Sequence, residues 1–153
     1  MDIFNIRPAH TDDIDIIVRF NIEMALESEN LKLPPEVVRR GVEMSLNSPG
    51  RGKYFLADQN GGGKAIGQIR VTHEWSDWNN GHYWWIQNVY VEPASRKQGV
   101  YTALHDHVRK LARKANACGL LLYVDHGNTS AQEVYRHLGM GNSHYLIYEQ
   151  GKI

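Results

Sequence analysis

The spacing of the apolar residues changes abruptly at Glu92-Pro93, and this constrains the fold more than any other feature of the chain. Before it, His82 to Val91 carries Tyr83, Trp84, Trp85, Ile86, Val89 and Tyr90, the density of a strand. After it, Val100, Leu104, Val108, Leu111 and Ala115 step by three or four, which marks one amphipathic helix. Gly119 then precedes Leu120-Leu121-Leu122-Tyr123-Val124, the pattern of a buried strand. Strand, turn, helix and strand in direct succession demand a sheet with a helix packed on its face.

The flanking sequence extends this layout. Ile3-Phe4-Asn5-Ile6-Arg7 alternates and reads as a strand ending at Pro8. Thr11 reads as a helix cap, with Asp12, Asp13 and Asp15 at the positive end of the helix dipole, and Ile14, Ile17, Val18 and Asn21 follow at helical spacing. Pro34 and Pro35 open a second helix with Val38, Val42 and Leu46 on one face, stopped by Asn47-Ser48-Pro49-Gly50. Strands at Tyr54 to Ala57 and Ala65 to Thr72 flank Gly61-Gly62-Gly63, and the second runs on toward Ser76. Asn80-Gly81 is a strong tight-hairpin signal. Ser130 to His137 reads as a short helix ended by Gly139, and His144 to Tyr148 as a last strand. The order β-α-α-β-β-β-α-β-α-β predicts an α/β protein, a central mixed sheet flanked by helices. A chain of 153 residues with no repeat or linker reads as one domain, residues 1–153.

Composition narrows the functional classes. With 17 basic and 17 acidic residues the net charge is zero, which argues against a sequence-independent grip on nucleic acid. Cys118 is the only cysteine, so no internal disulfide is available. The N-terminus lacks the layout of a signal peptide, and no apolar run approaches the ~18 residues of a membrane span. These readings predict a soluble, cytoplasmic protein with no membrane partner.

The chemistry concentrates around Glu92 to Tyr101. A helix opening at a glycine presents free backbone N–H groups and the positive end of its dipole, a ready site for phosphate or pyrophosphate. Gly99 lets the backbone approach an anion closely, and Arg96 and Lys97 bring full positive charges beside it. Taken alone, this fits an ordinary helix start equally well. Downstream, Asn128, Ala131 and Tyr135 are followed by the pair Gly139-Met140. With both segments the chain resembles the GNAT superfamily of N-acetyltransferases. That family carries R/Q-x-x-G-x-G/A after its fourth strand, matched here by Arg96-Lys97-Gln98-Gly99-Val100-Tyr101, and a later N-x-x-A-x-x-x-Y. Tyr101 departs from the usual small residue, and its bulk must point away from the ligand.

The resemblance implies a direct transfer from the cosubstrate acetyl-CoA to an amine of a small molecule or peptide. It implies phosphate contacts from Arg96, Lys97, Gln98, Gly99, Val100 and Tyr101, and backbone contacts from Val89 and Val91 to the pantetheine arm. Tyr135 becomes the general acid for the departing thiolate; a phenol near 10 facing a thiol near 8.5 is uphill by about 2 kcal/mol, so a hydrogen bond already helps. Asn128 is a helix cap and a cofactor contact. Many members of that family are dimers, which leaves monomer and homodimer both open.

The acceptor side is less constrained. Trp85 and Gln87 fall at the substrate-facing positions of the fourth strand, and neither takes a proton at neutral pH. A tight turn at Asn80-Gly81 pairs Glu74 with Gln87, and one at Asn79-Asn80 pairs Glu74 with Trp85; both keep Glu74 on the substrate face and turn His73 away. Glu74 is therefore the candidate base, acting through a water with its pKa raised by nearby tryptophans. All four tryptophans lie between Trp75 and Trp85 and can line a pocket for a cationic amine or simply pack the hairpin. Glu27, with Glu23 and Glu29, ends the first helix as a substrate contact or a solvated face. No metal is expected, since His105 and His107 do not share a helix face. A non-catalytic acyl-CoA sensor of the same fold and a nucleotide-binding module remain the alternatives.

Overall fold

The alternating segments up to Val91, with the apolar run after Gly119, become a five-stranded sheet in the order β1-β2-β3-β4-β5. The structure is a computed structural model that describes residues 3–60 and 62–152, so Gly61 of the glycine turn lies outside the described residues. The strands are β1 (Phe4–Pro8), β2 (Lys53–Gln59), β3 (Ala65–Ser76), β4 (Gly81–Val91) and β5 (Gly119–Leu122). The helices are α1 (Ile14–Glu29), α2 (Pro35–Leu46), α3 (Val100–Lys114) and α4 (Thr129–His137). Neighbouring strands run antiparallel except β4 and β5, which are parallel because α3 crosses between them. By contacts, the chain forms two units, Met1–Tyr123 with the whole sheet and Val124–Ile153 with α4.

Each sheet face buries its own apolar set. On one, α3 lays Val100, Leu104 and Val108 against Phe55, Ala57, Ile69, Val71 and Ile86. On the other, α1 and α2 bring Ile17, Phe20 and Val42 onto Tyr54, Leu56 and Tyr90. Residues of β2 through β4 alternate between the two layers, as the pleat requires, with the parity changing where the register shifts near Ala57 and at Asn88.

Several local expectations change. Thr11 is not the cap of α1; it sits in a 3-10 turn, Thr11–Asp13, and Asp13 accepts the His10 N–H at 2.7 Å while Arg7 donates to both carboxylate oxygens. The hairpin turns at Asp77 to Asn80 rather than tightly at Asn80-Gly81, and Ser76 faces Gly81. Asn80 takes the left-handed conformation (φ 47), Ser76 Oγ accepts from Asn79, and a Cβ at Gly81 would make a tight 3.0 Å contact with Cys118 Sγ. β5 is half-buried rather than buried, and lies at the edge of the sheet with one ladder partner among the described residues. Residues 144–148 are not a strand: they have no ladder partner among the described residues, and Tyr145 to Tyr148 are exposed.

No described helix is long and apolar enough to cross a membrane. No described group of three His, Cys, Asp or Glu side chains is placed to hold a metal ion.

Beneath α1 the sheet contains a buried polar cluster. Asn88 sits in the left-handed conformation (φ 51) where the β3–β4 register shifts, a bulge that frees a backbone carbonyl. Gln68 Nε2 donates to that carbonyl at 3.0 Å and to Asn21 Oδ1 at 2.7 Å. Asn88 Nδ2 also donates to Asn21 Oδ1, and Asn21 Nδ2 donates to the Tyr54 hydroxyl at 3.0 Å. Replacing Gln68 by Leu removes the donor from two buried acceptors. The expected cost is about 1–3 kcal/mol, read as a lower urea midpoint at unchanged slope. A midpoint equal to the wild type's would mean the cluster does not hold the bulge.

Candidate functional site

β4 outlasts its neighbour. The parallel ladder ends at Ile86 opposite Leu122, whereas β4 continues to Val91. Val89 and Val91 therefore lie on a stretch with no ladder partner on that side among the described residues. Such an edge offers backbone donors and acceptors to an extended ligand. Val91 O already accepts from Arg96 Nε at 2.9 Å.

The unpaired edge leads directly into the turn before α3. A 3-10 turn, Pro93–Ser95, is followed by Arg96 in extended conformation, Lys97 at φ 61 and Gly99 at φ 86, the N-cap of α3. A Cβ at Gly99 would touch nothing within 4 Å, so it is the left-handed backbone that calls for glycine here. Lys97 holds the same conformation without that freedom, at a cost of ~1–3 kcal/mol. Gly99 has no side chain with which to cap the helix, which leaves the first-turn N–H groups facing outward. Gln98 Nε2 braces the turn by donating to Ala94 O. Tyr101 turns inward, packs against the α3-side core and lies 5.9 Å from His105, so its bulk stays out of the turn. Arg96 donates to Glu27 at 2.7 Å and lies 5.5 Å from the Tyr90 ring. Arg96 and Glu27, expected on cofactor and substrate respectively, are thus partners of one another.

On the α1/α2 face of the sheet, register decides which side chains meet. Thr72 faces Trp85, Arg70 faces Gln87 and Glu74 faces Tyr83, so the expected pairings of Glu74 with Gln87 or Trp85 do not occur. The longer turn keeps the same parity, and Glu74, Trp85 and Gln87 share this face while His73 lies on the other. Gln87 Oε1 accepts from Arg70 Nη1 at 3.0 Å, and its Nε2 donates to Thr72 Oγ1 at 2.8 Å. Trp85 stacks on Tyr123 with centroids 4.5 Å apart. The tryptophans do not assemble into one pocket: Trp75 and Trp84 alternate to the α3 face, and Trp78 is 93% exposed in the turn. Glu74 is exposed as well, so the tryptophan enclosure expected to raise its pKa is not built.

The comparisons with known proteins bear on this arrangement. The model of the acetyltransferase (GNAT) family matches residues 22–140. The chain belongs to that family. A possible acetyltransferase from Clostridium difficile 630 is 36% identical, with a TM-score of 0.91 and 99% of each chain covered. A predicted acetyltransferase from Clostridium acetobutylicum, solved with acetyl-CoA, shares the fold at 19% identity, with a TM-score of 0.78 and 96% of each chain covered. So does AAC(6')-Iy, in complex with the bisubstrate analog CoA-S-monomethyl-acetylneamine. It is 18% identical, with a TM-score of 0.77, and 98% of this chain and 99% of that one are covered. Among curated proteins none matches the chain.

In this GNAT chain the second motif lies in the smaller unit. Asn128 caps α4, its Oδ1 accepting from Ala131 N at 3.2 Å and from Ser130 Oγ at 3.3 Å. Tyr135 lies in the same helix, and burial raises its phenol above 10. A cavity of about 400 Å³ lies on the opposite face of the sheet, lined by Phe55, Val71, His73, Trp84 and Leu111 toward the C-terminal end of α3, the far end from Gly99.

Three side chains escaped the sequence reading because their roles depend on long-range partners. Arg70 is the first, fixed through Gln87. Tyr90 is the second; burial, and then its bond to Glu23, raise its phenol. Glu92 is the third, ion-paired with Arg19 of α1. Tyr90 donates to Glu23 Oε2 at 2.6 Å, and that bond, opposed by burial and helped by Arg19, lowers the Glu23 carboxyl below its ordinary 4.5. A depressed folded pKa adds stability above the unfolded value and loses it as pH falls through the folded one. Melting curves below about pH 4.5 should therefore lose less stability per pH unit in Glu23→Gln than in wild type. Parallel slopes would show that Glu23 does not carry this dependence.

Proposed function

We propose that the protein transfers the acetyl group of acetyl-CoA directly to a primary amine of a small molecule or peptide. The observation that carries this reading is the β4 edge left unpaired beyond Ile86, running straight into the uncapped start of α3 at Gly99. One feature can take an extended amide-bearing arm and the other a pyrophosphate, in the order that coenzyme A presents them.

In this reading the N–H groups at Gly99, Val100 and Tyr101 bind the pyrophosphate, with Lys97 and Gln98 at the rim. Val89 and Val91 pair with the pantetheine arm, and a backbone N–H of the same stretch faces the developing oxyanion. The amine attacks the thioester carbonyl and forms the new C–N bond, and the C–S bond breaks to release the thiolate. Tyr135 is protonated at neutral pH, as a phenol is; burial raises its pKa further and makes full proton transfer harder, so it acts as a hydrogen-bond donor to that sulfur. The amine proton passes to water, and Asn128 holds the start of the helix that carries Tyr135; Glu74, opposite Tyr83 near the hairpin, lies about 20 Å along the sheet from Val89, too far to take that proton through one water.

Release of free thiol from acetyl-CoA over a panel of primary amines tests the reaction. In the same assay Tyr135→Phe is expected to lower kcat by ~10²–10⁴-fold while CoA affinity holds. Equal turnover would reduce Tyr135 to a packing residue, and no thiol release with any amine would remove the proposed reaction.

A further inference from the structure

Among the charged side chains beside this face, Arg70 is held in an unusual way. Arg7, Arg19, Arg39, Arg96 and Arg109 each meet a carboxylate. Arg70 is half-buried yet, among the described residues, meets only neutral groups: Gln87 Oε1 at 3.0 Å, Arg51 O at 2.6 Å and the Tyr54 ring at 5.8 Å. Its Nε is buried with no hydrogen-bond partner among the described residues. Withdrawing a charge from water without a counter-charge is costly. Here the cost is borne by a group clamped from several sides, with Gln87 itself fixed by Thr72.

The position of Arg70 gives that arrangement a use. Arg70 faces Gln87, next to Ile86 where β4 and β5 part. Val89, where the pantetheine arm is expected to pair, is about 6 Å further along, and adjacent strands are ~4.8 Å apart. Glu74 shares the face but lies ~13 Å along β3, too far to neutralise Arg70. Nη1 and Nη2 each keep a second N–H beyond those already used, and a planar carboxylate matches that pair. A fixed cation also disfavours a charged ammonium nearby, and so favours the neutral amine that attacks.

We propose that the acceptor carries a carboxylate close to its amine, as an amino acid or an acidic peptide does, and that Arg70 is the specificity residue that receives it. This rests on the reaction proposed above and names the acceptor class for the same site.

The test uses matched probes, L-phenylalanine against L-phenylalaninamide and 6-aminohexanoate against hexylamine; the amines of the second pair are similarly basic. Calorimetry on the full chain, alone and with CoA, is expected to show the better carboxylate probe binding at least about tenfold tighter than its neutral partner. Arg70→Gln should abolish that preference, and Arg70→Lys should keep part of it. A melting curve for each variant checks folding. Equal affinity within both pairs, or a preference that survives Arg70→Gln, overturns the assignment. Thiol release with the same probes separates the two proposals. Carboxylate preference without acetyl transfer sinks the reaction and leaves Arg70 standing, whereas transfer to both members at equal rates does the reverse.

Discussion

A bulge in a central strand has to satisfy the backbone group it orphans, and the candidate site depends on how this chain does so. Asn88 takes a left-handed conformation and its carbonyl leaves the ladder. Gln68 of β3 and Asn21 of α1 close around it as a buried carboxamide cluster. Its hydrogen bonds fix strand, neighbour and helix together in the low-dielectric interior, although Gln68 Oε1 is buried with no partner among the described residues. Past this point β4 no longer follows β5. Were the bulge ironed out, the edge at Val89 and Val91 would lose the geometry that separates it from β5.

The first helix serves this end of the sheet throughout its length. Asn21 binds the bulge, Glu23 takes the Tyr90 hydroxyl, Arg19 pairs with Glu92 and Glu27 pairs with Arg96. Most of these contacts are only partly buried, and each contributes little alone, ~0–1 kcal/mol for an exposed pair. Their shared effect is positional: α1 is tied to the strand end and to the turn preceding α3. That turn stores strain at Lys97 and exposes N–H groups at Gly99, while Val100, Leu104 and Val108 anchor the helix behind it in the core. A strained loop on a rigid helix can meet an anion without first reorganising.

Much of this was legible from local pattern. The alternation of β2 to β4, the helical stripe from Val100 onward and the glycine at the helix start all survive in the structure, because each is set by neighbours a few residues apart. The face of Glu74 was legible too, since side-chain parity follows from the pleat even though the turn is longer than Asn80-Gly81 suggested. The cluster of tryptophans misled for the same reason: closeness in sequence sends Trp84 and Trp85 to opposite faces. The expected strand at 144–148 failed because an apolar run such as Tyr145 to Tyr148 permits a strand but cannot supply the partner that makes one.

The sequence by itself determined the element types, the mixed α/β layout and the phosphate-type helix start, all consequences of short-range periodicity and of glycine's backbone freedom. Tertiary structure alone decided the partners of the charges and the carboxamides. Whether Arg96 meets a ligand or Glu27, whether Gln87 faces an amine or clamps Arg70, and where β4 leaves β5 depend on residues far apart in the chain. Those contacts arise only when helix and sheet are packed, because a side chain's electrostatic partner is set by distance in space and not by distance along the sequence.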